Sequence, residues 1–121
     1  MRIILLTFAV CLLLTVLLEE SSALIAGIRK GFDLTVILFT NTLTNPVAVL
    51  SGMLFEAFTS IPKVAYIIFI EAAVFITEAL IYRKLLYTKK PSPFILSLIL
   101  NGVSFCIGTP IAAKILDLIA K

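Results

Sequence analysis

Long uncharged apolar runs, broken by short clusters of charge, proline and glycine, make up most of this chain. The first extends from Ile3 to Leu18, sixteen residues without a charge, led by Arg2 and followed by Glu19-Glu20-Ser21-Ser22-Ala23. It has two readings of equal weight. Arg2, the apolar stretch and Ser21-x-Ala23 fit a secretory leader cleaved after Ala23. The same residues fit a retained first helix, slightly short of the roughly 20 residues that cross a bilayer.

The second run, Leu34 to Ser60, starts after Gly31 and Asp33 and ends at Ile61-Pro62-Lys63. Asp33 is placed to cap its N-terminus. Pro46 removes a backbone donor and crowds the preceding turn, which predicts a kink between Thr42 and Asn45. The third run, Val64 to Tyr82, follows Pro62, a good helix-starting residue, and stops at Arg83-Lys84. A hydrophilic segment with two prolines, Lys89-Lys90-Pro91-Ser92-Pro93, leads to the fourth, Phe94 to Ala120, which holds Gly102, Gly108 and Pro110. Lys114 and Asp117 mark where this last run leaves the apolar phase. The pattern predicts an all-α integral membrane protein, a compact bundle of three to four transmembrane helices. The chain forms one domain, 1–121, in which 1–23 is a first helix or a cleavable signal peptide and 34–60, 64–82 and 94–120 span.

Composition supports the same solvent. Of the 121 residues 61% are hydrophobic and 14% charged, against about 45–50% and 25% in soluble domains. So short a soluble fold has too little interior to hide that much apolar surface. The net charge of +3 matters less than where the bases lie, because Lys and Arg near the ends of the spans set orientation. In a four-helix layout Arg29, Lys30, Arg83, Lys84, Lys89 and Lys90 share one side, with Arg2, Lys63 and Lys121 on the other. The first side is then cytoplasmic. A cleaved leader conflicts with this, since it places Arg29 and Lys30 outside. Cys11 and Cys106 sit in separate apolar runs and read as small buried hydrophobes rather than a disulfide. Histidine is absent, and with it the usual imidazole base and metal ligand.

Polar residues at membrane depth are costly and each needs a reason. Asn41 and Asn45 lie four apart on one face of the second helix, and Glu56 falls about three turns further along that stripe. Thr40, Thr42 and Thr44 surround them. Bonding at a proline kink, or to a neighbouring helix, accounts for the asparagines structurally; an ion or lipid-headgroup site accounts for them functionally. Glu71 and Glu78 share a face of the third helix, seven residues apart. Glu71 is the deeper, while Glu78, five residues before Arg83, reads as an end-of-helix charge that reaches back to water. Ser97, Asn101, Ser104 and Gly108 recur at helical spacing on the fourth run, a stripe suited to close helix approach and interhelical hydrogen bonds. Convergence of the three stripes gives a candidate intramembrane polar site of Asn41, Asn45, Glu71, Glu78, Asn101 and Ser104. Within it Glu71 is expected to face Asn101 and Asn45.

No catalytic or cofactor motif occurs, so no catalytic residue or cofactor is expected, and an intramembrane enzyme is the least favoured of three readings. Glu71 and Glu78 lack the histidine partners of a carboxylate metal site. Size and small-residue faces point first to a structural or accessory subunit of a membrane complex. The alternative is an oligomeric small transporter or proton- or cation-conducting protein that uses an intramembrane carboxylate. Expected partners are the bilayer of the cell membrane and either further copies of this chain or other membrane subunits, not nucleic acid.

Overall fold

A computed structural model describes residues 1–121, and every regular element in it is helical. Helix α1 spans Arg2–Ile25, α2 Gly31–Phe58 and α3 Lys63–Leu85. The fourth run divides into α4 (Pro93–Val103), a wide π-turn (Ser104–Gly108) and α5 (Thr109–Ile119), stacked as one continuous span. Pro110, in the first turn of α5, lacks the N–H that would bond the carbonyl of Cys106, and Cys106 lies in the wide turn. Pro46, by contrast, is carried inside an unbroken α2.

Four helices are therefore long and apolar enough to cross a membrane. Short connections make successive helices antiparallel neighbours. Helix α1 packs on α2, α2 on α3, α3 on α4, and α4 with α5 returns to α1, with no diagonal contact. The ring is inside out relative to a water-soluble bundle. Leu43, Phe58 and Val64 are at least 70% exposed, whereas seven of the 19 buried residues are polar or charged.

One end of the ring is tightly closed. Ala23, Ile28, Ile37, Tyr82, Leu86, Leu96 and Leu100 form a single buried cluster drawn from all four spans and their loops. Helix α1 enters this core through Ala23, the residue that one sequence reading makes the last of a leader. Its C-terminus is finished by Gly27 at φ 102°, where the Ile28 N–H donates to the Ala23 carbonyl at 2.9 Å. That left-handed turn suits glycine.

Two expectations need correction here. Asp33 does not cap α2, which begins two residues earlier at Gly31. Its fully buried carboxylate instead accepts the backbone N–H groups of Tyr87 and Thr88, both at 2.9 Å, and so clamps the α3–α4 loop onto the start of α2. Phe32 stacks obliquely on Tyr87 beside this clamp, and Lys30 lies 5.6 Å from the same ring. Lys89 donates to the Arg83 carbonyl at 2.7 Å and satisfies an end of α3. The second correction concerns cysteine. Both thiols are free, and Cys106, within the π-turn, is exposed; only Cys11 is partly covered.

A candidate acidic chamber

Opposite the closed core, the ring widens around a cavity of about 520 Å³. Each span supplies a polar stripe to its wall, and the stripes follow from helical spacing. On α1, Thr7, Cys11, Thr15 and Glu19 recur every four residues, and all four line the cavity. The stripe covers about 18 Å of helix at 1.5 Å per residue.

Glu78 lies at the floor and is only 1% exposed. The Thr44 hydroxyl donates to its Oε1 at 2.6 Å and the Asn101 amide donates to its Oε2 at 2.7 Å. One carboxyl group thus joins α2, α3 and α4. Asn101 is itself held by Ser97, whose carbonyl accepts from Nδ2 at 2.9 Å, and the Ser97 hydroxyl donates to the Phe75 carbonyl across the α3–α4 interface. This arrangement replaces the expected pairing of Glu71 with Asn101 and Asn45. Glu78 is also no end-of-helix charge reaching for water, because the closed core and the α3–α4 loop lie between it and that end of the bundle.

Asn45 turns the other way and donates to the Thr15 hydroxyl at 2.9 Å, tying α2 to α1. Asn41 is fully buried, and neither polar atom of its amide has a hydrogen-bond partner. Glu71 takes part in none of these bonds. It lines the cavity wall, half-buried, about two helical turns from Glu78 on the same face. Glu56, exposed, lies nearer the α2–α3 turn.

The residue absent from the expected set is Glu19. Its carboxyl is 1% exposed, and Ser104, at the start of the π-turn, donates to Oε1 at 2.8 Å. The other oxygen, Oε2, is buried without a partner. Glu19 and Glu78 line the same cavity, each 1% exposed. The signal of Glu19 in the sequence is the four-residue stripe on α1, which is masked because the glutamates fall where the apolar run ends. Gly108 also belongs here. A Cβ at that position would stand 3.2 Å from Leu18 Cδ1, so glycine lets α1 and the fourth span approach closely.

Two buried carboxyl groups therefore meet a set of hydroxyls and amides with no arginine, and the single lysine on the cavity wall, Lys63, is exposed at the far end of α3. A bare carboxylate in an apolar interior is very costly, so each such group carries a proton or sits against a cation. Proton exchange and cation binding are what this arrangement can do chemically. No family model, curated protein or solved structure matches the chain, and the site rests on its own geometry.

Proposed function

We propose that the protein is an integral membrane protein of four spans, α1 retained, that binds a cation or proton at Glu19 and Glu78 as a small carrier in the cell membrane. The observation that supports this most strongly is the pair of almost fully buried carboxyl groups, Glu19 and Glu78, at one acidic cavity, with Glu19 Oε2 left without a partner. An apolar exterior and four sufficiently long helices support membrane residence. The bases at the closed end, Arg29, Lys30, Arg83, Lys84, Lys89 and Lys90, favour a cytoplasmic position for that end. The cavity then opens away from the cytoplasm.

The accessory-subunit reading drew on polar stripes as surfaces for a partner. Those stripes are largely engaged within the chain: Ser97 and Asn101 hold α4 to α3, and Ser104 holds α4 to α1. One observation still favours a partner, since no Cα of α5 lies within 8 Å of α3. A helix from another copy or another subunit could seat there. Cation-driven proton movement in proteoliposomes tests the carrier reading, with Glu19→Gln and Glu78→Gln as comparison. Loss of flux in well-folded variants supports it. Flux equal to that of empty liposomes, together with a stoichiometric partner after mild solubilisation, supports the accessory reading instead.

A further inference from the structure

We infer that the ligand of the chamber is an organic cation with an apolar body, admitted from the bilayer through the gap between α3 and α5. The inference rests on the carrier reading above and names its substrate class. Three independent features of the cavity lead to it.

The first is the donor set. The carboxyl oxygens of Glu78 are both engaged by donors, and one oxygen of Glu19 is as well. No three acidic or thiol side chains gather around one point as a metal would require. A dehydrated inorganic cation needs about six converging oxygens. What remains is one carboxyl oxygen without a partner, Glu19 Oε2, buried beneath the cavity surface beside Asn41, so that its charge acts on a ligand through space rather than by direct contact. That suits a single ammonium-type charge.

The second is size and wall chemistry. A volume of about 520 Å³ falls within the roughly 300–1,000 Å³ of small-molecule pockets. It far exceeds what a bare ion occupies. Part of the wall is apolar, with Leu14, Val49, Met53, Ile70, Val74 and Phe105. An apolar body gains by leaving water for such a wall, while the few polar groups at the floor orient the charge.

The third is the entrance. The ring closes through α3 and α4 at one end, yet α5 has no Cα within 8 Å of α3 at the other. The opening is flanked by apolar outer surface, where hydrated ions do not travel and lipophilic cations do. Glu71 lines the cavity on α3 between the exposed Lys63 and the floor. Along α3 it is the first carboxyl that a laterally entering cation meets.

The test uses the full chain in nanodiscs and equilibrium dialysis with labelled tetrabutylammonium, an apolar monovalent cation. Saturable binding of one cation per chain is expected, weakened at least about tenfold, or about 1.4 kcal/mol, in Glu19→Gln. Glu19→Asp should bind more tightly than Glu19→Gln, and both should elute as the wild type does on size exclusion. If Glu19→Gln fails to fold, Glu71→Gln, in a residue outside the hydrogen-bonded floor, should still weaken binding by a smaller factor. Equal binding of the neutral, similarly branched tributylamine oxide would overturn the inference, because the charge would not matter. Proton or sodium flux sensitive to Glu19 and Glu78, with no tetrabutylammonium binding, sinks the organic-cation assignment and leaves the carrier reading standing. Absence of every cation and proton response overturns both.

Discussion

The two ends of the bundle are built on different principles. At the end that carries the α1–α2 and α3–α4 loops, all four spans meet in apolar contact, and a buried aspartate clamps the longer loop. At the other end the contacts are pairwise. Phe55 stacks on Tyr66 and meets Phe69 edge-on to hold α2 to α3, α1 holds α5, and no Cα of α5 comes within 8 Å of α3. The acidic cavity lies between, with its floor against the packed end. A membrane helix pair gains nothing from excluding lipid with more lipid-like side chains, so packing and hydrogen bonds decide where the bundle is tight. Here they are concentrated at one end, which leaves the other free to separate.

Substitutions at the two ends should differ accordingly. Tyr82→Ala removes the largest fully buried side chain of the closed core and should cost about 3–5 kcal/mol, as large-to-small core changes do. Thermal unfolding in detergent would show it; a change indistinguishable from zero would mean that the closed end is not where stability resides. Asp33→Ala removes two charge-assisted bonds to the α3–α4 loop and should cost about 3 kcal/mol. Hydrogen exchange at Tyr87 and Thr88 should quicken, while cation binding in the chamber stays near wild type. Glu78→Gln retains shape and an acceptor, so its stability should stay within about 1 kcal/mol while flux is lost. A large stability loss there would recast Glu78 as structural glue. Gly108→Ala places a methyl 3.2 Å from the flexible end of Leu18. It should cost less than about 1 kcal/mol, the smallest effect of the set, and slightly splay α1 from the fourth span.

The three later helices were legible because apolar run length answers to a single variable, bilayer thickness, whereas the first run stays open in the sequence between a helix and a leader. Faces were legible too: Ser97, Asn101, Ser104 and Gly108 lie on one side of the fourth span, as helical spacing requires. The partners of each face were harder, because spacing along one helix says nothing of the level at which another meets it. Antiparallel register supplies that level. Thr44 and Glu78 lie equally far, seventeen residues, from Ile61 in the α2–α3 turn, and Thr15 and Asn45 each lie fifteen from Lys30. Glu78 and Asn101 are likewise equidistant from the Lys89–Lys90 bond. Measured from the loops, Glu78 rather than Glu71 stands opposite Asn101. Depth counted from the nearest charge favoured Glu71 because it took Arg83 as the water boundary, whereas the α3–α4 loop folds over that end. The π-turn and the gap between α3 and α5 had no such signal. They depend on how the whole ring closes.

Cys11 offers the most direct test of an acidic chamber reached from the open end, since it lines the cavity while Cys106 faces outward. In a Cys106→Ala background, Cys11 can be modified with a trimethylammonium-bearing methanethiosulfonate and with its sulfonate-bearing counterpart of similar size. Four glutamates on the wall should concentrate the cationic reagent, giving a rate at least about tenfold higher than for the anionic one after correction for intrinsic reactivity. That preference should shrink in Glu78→Gln, and tetrabutylammonium should slow the cationic reaction. Equal rates for the two reagents, unaffected by Glu78→Gln, would contradict the acidic chamber itself.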